Sequence, residues 1–253
     1  NLDNLMKNLQ QDEPHMLLEK SNMTKAKLPR RSFLRYSGAG VASLALIAAG
    51  CKKNNNFPDD GNGNGGTVDE SGINLGSGDL GILNYAYVLE QLEAAFYAKV
   101  VASPYSSPAQ EHEMEFLKDI AAHEVAHREL LKKALGTNAV HEIVVDFSSI
   151  DFTKRDTVLA TAKAFEDLGV SAYNGAGKLL KDSANLALAA KVVSVEARHS
   201  AYLRELISIN SFANTEVVLD PNAFEKSRTP AEVLVIAQKY IKNPITASNL
   251  PTS

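Results

Sequence analysis

A carboxylate–histidine pattern that occurs twice constrains this chain more than any other feature. The first copy is Glu90, then Glu124-Val125-Ala126-His127. The second is Glu166, then Glu196-Ala197-Arg198-His199. A Glu at i and a His at i+3 share one face of a helix, with Cβ atoms about 5–6 Å apart, so both can reach the same metal ion. Two such helices, each paired with a helix that carries a single Glu, offer four carboxylates and two imidazoles. That is the ligand set of a dinuclear metal site inside a four-helix bundle.

The apolar spacing agrees with such a bundle. It predicts a helix over 79–102, with Leu83, Ala86, Glu90, Glu93, Ala94 and Tyr97 on one stripe and Pro104 ending it. Ser107-Pro108-Ala109-Gln110 reads as a capping box with Pro at the first helical position. It opens a helix over 108–135 that stops at Gly136. Val140–Phe147 is short and β-branched, so 137–155 reads as an extended crossover. Helices over 156–181 and 183–209 follow. After an irregular stretch, Thr229-Pro230-Ala231-Glu232 is a second capping box that opens a short helix to about 241.

The third helix aligns with the first. Leu89-Glu90-Gln91-Leu92-Glu93-Ala94-Ala95-Phe96-Tyr97 matches Phe165-Glu166-Asp167-Leu168-Gly169-Val170-Ser171-Ala172-Tyr173, each with Glu at i and Tyr at i+7. The second and fourth helices align on Glu124/Glu196 and His127/His199. The chain therefore reads as a duplicated helical hairpin whose halves face each other across a pseudo-twofold axis. The alignment selects Glu90 over Glu93 as the ligand, because Gly169 stands opposite Glu93. Glu93 is left as an additional carboxylate beside the site or a surface charge. Tyr97 and Tyr173 are positioned to hydrogen-bond a ligand carboxylate, or to reduce an oxidant that escapes the metals.

Four carboxylates in a bundle core are costly unless cations compensate them. Carboxylate oxygen with imidazole suits iron or manganese, whereas zinc more often recruits thiolate. A rival motif overlaps the site: His123-Glu124-Val125-Ala126-His127 is the His-Glu-x-x-His of zinc peptidases. The second half has Val195 where His123 stands, and a peptidase leaves Glu90, Glu166, Glu196 and His199 without a use. His123 is then a helix-surface residue or a neighbour of the site, and His15, His112 and His141 have no partner pattern.

Before the helices, Pro29-Arg30-Arg31-Ser32-Phe33-Leu34-Arg35 resembles a twin-arginine export signal. The apolar stretch 36–50 falls short of the roughly 20 residues of a spanning helix and reads as a signal-peptide core. Ala48-Ala49-Gly50-Cys51 resembles a bacterial lipobox, with Ile47 one place early, which makes Cys51 the lipidated residue and a membrane anchor. The domains expected are an N-terminal extension and signal over 1–51, a flexible tether over 52–78, a helical domain over 79–245 and a tail over 246–253. The net charge of −4, without a dense basic patch, argues against nucleic-acid binding.

These strings resemble the ferritin-like superfamily, and in particular bacterial exported ferritin-like domain proteins related to plant desiccation-related proteins. The resemblance covers roughly 80–240 and implies an all-α, up-down-down-up four-helix bundle with a long crossover between the second and third helices and a short C-terminal helix. It also implies two iron or manganese ions. Glu90 and Glu166 would be terminal or chelating ligands, Glu124 and Glu196 would bridge, and His127 and His199 would take one ion each. The expected chemistry is oxidoreduction of oxygen, peroxide or ferrous iron, with the small oxidant or metal ion as partner and homo-oligomerisation left open. The alternatives are a non-enzymatic metal-binding or stress-protective module of the envelope and, third, the zinc peptidase.

Overall fold

A computed structural model of the chain describes residues 70–105, 110–219 and 224–252. The Ser107 capping box and everything up to residue 69, including Arg30, Arg31 and Cys51, lie outside the described residues. Four long helices form two antiparallel hairpins: α1 (Gly78–Ala102) with α2 (Gln110–Leu135), and α3 (Arg155–Gly177) with α4 (Ser183–Ile207). A short α5 (Pro230–Ala237) closes against α3. The fold is the all-α four-helix bundle that the duplicated hairpin predicts. Among the described residues no helix is long and apolar enough to cross a membrane.

Helix α1 is the central element, buried on nearly every face. Its Phe96 sits among Tyr97, Phe147, Phe152 and Phe165, with ring centroids 5.1–6.0 Å apart. Phe147 and Phe152 belong to the crossover, so this cluster ties the long connection to the core. Burying one such ring stabilises by about 1.5–3 kcal/mol.

The crossover runs extended, as its β-branched composition predicts, once the positive φ of Gly136 has ended α2. An extended segment off a sheet must find partners for its amides. Here side chains of α1 and of the C-terminal segment supply several, and Tyr240 O accepts from Asp146 N beside the Val145–Ile241 bridge. Asn84 Oδ1 accepts from Val140 N at 3.0 Å, Gln91 Oε1 from Ile143 N at 2.9 Å and Asn243 Oδ1 from Val144 N at 2.6 Å.

Helix α3 ends at Gly177 rather than at 181. The chain turns there because Asp79 Oδ1 and Oδ2, in the first turn of α1, accept from Lys181 N and Asp182 N, both at 2.9 Å. Asp182 then caps α4 by accepting from Ala184 N and Asn185 N. The Thr229 capping box forms as predicted, with Glu232 closing it. Gly175 lets residue 228 pass against α3, since a Cβ there would lie 1.7 Å from the Arg228 carbonyl oxygen.

Both ends of the bundle correct the sequence reading. Residues 70–77 are not tether: β1 (Ile73–Asn74) pairs in parallel with β4 (Ile245–Thr246), and Ile73 and Leu75 are buried. The segment from 246 is not a free tail either, because Leu250 packs into the core where Gly81 leaves room for its Cδ2. Between α4 and α5, β2 (Val218–Leu219) and β3 (Phe224–Glu225) form a small antiparallel ribbon.

Candidate metal centre

Each helix of the bundle sends its ligand-type residues to one place in the core. Glu90 comes from α1, Glu124 and His127 from α2, Glu166 from α3, and Glu196 and His199 from α4. All four glutamates are 0 % exposed, with His127 at 8 % and His199 at 5 %. They converge as two overlapping groups, Glu90–Glu124–His127–Glu196 and Glu124–Glu166–Glu196–His199, in each of which one ligand atom per residue lies within 4.8 Å of the others. Glu124 and Glu196 belong to both groups.

The shortest contact of each histidine crosses between the hairpins. His127 Nδ1 lies 2.8 Å from Glu196 Oε1 and 3.4 Å from Glu90 Oε2. His199 Nδ1 lies 2.9 Å from Glu124 Oε1 and 3.3 Å from Glu166 Oε2. The tyrosines cross in the same way: Tyr97 OH donates to Glu166 Oε1 and Tyr173 OH to Glu90 Oε1, both at 2.5 Å. Each phenol thus serves the glutamate of the other half. Burial, then the neighbouring glutamates, push both phenols well above their ordinary range, so they keep their protons and donate.

Close as they are, these atoms do not satisfy one another as hydrogen-bond donors and acceptors. Both oxygens of Glu124 and of Glu196, Oε2 of Glu90 and of Glu166, and Nδ1 of both histidines are buried without a hydrogen-bond partner. Orphaned buried acceptors are costly, about 1–3 kcal/mol each and more for charged groups. Six carboxylate oxygens and two imidazole nitrogens gathered in one small volume suit a cation. Oxygen and nitrogen ligands at about 2.0–2.2 Å from one ion lie within roughly 4.4 Å of each other, which the spacing of both groups accommodates. The buried Glu/His groups could therefore hold metal ions, and the donor chemistry fits them.

The electrostatics carry the same message. Burial, then Glu90 and Glu166, push Glu196 well above the carboxylate range. Burial and Glu124 raise Glu166, and burial and Glu196 bring Glu124 up to about 7. Burial alone would lower both imidazoles, yet the carboxylates around them win: His127 is pushed up to about 12 and His199 to about 10. The cluster carries more negative charge than its two imidazoles balance, and it draws in protons.

Two positions break the twofold relation. Glu93 is no surface charge. It is 3 % exposed, its Oε2 has no hydrogen-bond partner, and burial with the neighbouring Glu196 pushes it well above the carboxylate range. Gly169, its mate in the repeat, provides the space. A Cβ at Gly169 would lie 3.0 Å from Glu93 Oε1 and 3.3 Å from Glu196 Oε2. The second position is His123, on the exposed side of α2. Its Nδ1 faces Nε2 of His199 at 2.9 Å. His123 joins neither convergent group among the described residues. The zinc-peptidase arrangement of His123 and His127 on one ion is not formed. His112 and His141 lie at the surface, and His15 is outside the described residues. Sequence reasoning left His123 either on the helix surface or beside the site, without naming its contact with His199. Its only trace was the His123/Val195 mismatch in an otherwise matched repeat.

A family model described as ferritin-like domain matches residues 78–208, just over half of the chain. The chain belongs to the ferritin-like family. The match runs from the first residue of α1 to the residue just after α4. All six converging ligand-type residues of this ferritin-like chain fall inside it. Comparison with the curated proteins finds no match.

Proposed function

We propose that this ferritin-like protein is an exported oxidoreductase whose Glu90, Glu124, His127, Glu166, Glu196 and His199 hold two iron or manganese ions. The observation that carries the reading is the pair of overlapping three-carboxylate, one-imidazole groups, deep in the core, in which four glutamates outnumber two histidines. Glu124 and Glu196 belong to both groups and would bridge the ions. Glu90 and Glu166 would each bind one ion. The phenols of Tyr173 and Tyr97 hold Oε1 of these two glutamates, which leaves Oε2 directed inward. When bound, the metals would supply one-electron redox couples for reducing oxygen or peroxide, with ferrous iron or an external donor as reductant. The twin-arginine-like segment at Arg30-Arg31 supports export to a bacterial envelope, and the lipobox-like Cys51 supports a lipid anchor there.

Protein purified from its exported fraction should contain stoichiometric iron or manganese and consume peroxide or oxidise ferrous iron, and Glu124→Ala should abolish both. Absence of both metals would defeat the proposal. A second reading, a non-enzymatic module in which the ions staple the bundle, is favoured by the complete burial of the four glutamates. In that case Glu124→Ala lowers the melting temperature sharply while the wild type shows no turnover. Replacing Arg30 and Arg31 by Lys should retain the protein in the cytoplasm, read by cell fractionation.

A further inference from the structure

We infer that His123 is a positioning residue for the ion held by His199, and that it makes the two halves of the centre inequivalent. The inference rests on the metal-centre reading and adds a residue that no repeat position predicts. His199 turns Nδ1 inward, toward Glu124 Oε1 and Glu166 Oε2, where it is buried and has no hydrogen-bond partner. A neutral imidazole has one N–H and one lone pair. If the inward Nδ1 is the ligand, its lone pair faces the ion and Nε2 carries the proton. That N–H has an acceptor waiting, because His123 Nδ1 lies 2.9 Å away. The two rings are within 14° of parallel, with centroids 5.1 Å apart. His123 in turn keeps its own proton on Nε2.

A partner on the outer nitrogen fixes both the tautomer and the orientation of a ligating imidazole. Removing such a partner typically lowers metal affinity about 10–100-fold. The twofold relation would place the matching partner of His127 at residue 195, but that residue is Val195, which has no acceptor to offer. Only one ion should feel the loss of His123, because His199 belongs to only one of the two groups.

The test is a stepwise cobalt(II) titration of the metal-stripped full chain, followed by absorption in the visible ligand-field bands and by bound stoichiometry. Wild type should take up two ions with separable steps. His123→Val, which copies Val195, should weaken one step by about 10–100-fold and shift that ion's bands, leaving the other step unchanged. His123→Asn places an acceptor oxygen close to the position of Nδ1 and should restore the weakened step. Melting temperatures of the stripped variants should match, since His123 is exposed. Unchanged binding in His123→Val, equal weakening of both steps, or no rescue by Asn would overturn the inference. A wild type that binds no cobalt would overturn the metal-centre reading itself, a result distinct from the other three.

Discussion

The protein buries acidic side chains in two ways. At the far end of the bundle, Glu113 of α2 is met by Arg155 at the start of α3, whose Nε lies 2.9 Å from both carboxylate oxygens, and Tyr105 OH donates at 2.8 Å. Likewise Asp167 meets Arg204, which also reaches Asn214 Oδ1 and Glu216 Oε2 at 3.0 Å. Burial would raise the Glu113 carboxyl, yet the Arg155 guanidinium and Tyr105 hydroxyl hold it below its ordinary range. The central cluster shows the opposite behaviour: orphaned oxygens and carboxyls driven upward. Where the chain encodes its own cation, the acid is satisfied on folding. Where it does not, the acid is left for something that arrives from outside.

The largest effect expected is on metal content. Glu124→Ala or Glu196→Ala should lose both ions, because these residues belong to both groups, whereas Glu90→Ala or Glu166→Ala should lose one. Elemental analysis of the four variants reads this directly. Equal losses in all four would break the distinction between shared and unshared ligands.

Chelation should next reverse the pH dependence of stability. In the stripped protein Glu124 is raised from 4.5 to about 7, and His199 from 6.5 to about 10. The folded state then binds more protons than the unfolded one. The stability these groups contribute is full below their unfolded values and is lost as pH rises through the folded ones. The stripped protein should therefore melt about 5–10 °C lower at pH 8 than at pH 5. The loaded protein should not, because metals displace those protons. A stripped form that gains stability toward pH 8 would contradict the electrostatic account.

Glu113→Gln should cost about 2 kcal/mol, or a melting temperature lower by about 4–8 °C, with metal content unchanged. The lowered carboxyl contributes stability above the ordinary carboxylate range and loses it as pH falls through the folded value. The gap between variant and wild type should close on acidification. Any loss of metal in this variant would erase the contrast between the two kinds of buried acid. Smallest is Tyr97→Phe or Tyr173→Phe, which frees one ligand carboxylate to rotate. A drop of about tenfold in affinity for one ion, read by competition with a chelator, is expected.

Much of the site was legible because its geometry is local. The i, i+3 spacing of Glu124 with His127 and of Glu196 with His199 puts each pair on one helix face, and the repeat named Glu90 and Glu166 as their partners. The Thr229 capping box was readable for the same reason, since its hydrogen bonds span three residues. Other features were not local. The tether reading failed at 70–77 because β1 finds its partner at residues 245–246, far along the chain. Glu93 was left open between a carboxylate beside the site and a surface charge because its burial depends on the missing side chain of Gly169, on another helix.

The sequence by itself determined that two hairpins carry one duplicated carboxylate–histidine set, because helical periodicity and repeat alignment need only neighbours along the chain. Only the tertiary structure decided that each tyrosine serves the opposite half, that Glu93 enters the core and that His123 backs His199. Those contacts join residues 69–83 positions apart. They exist because the hairpins pack at one register and one distance, which no spacing within a single helix encodes.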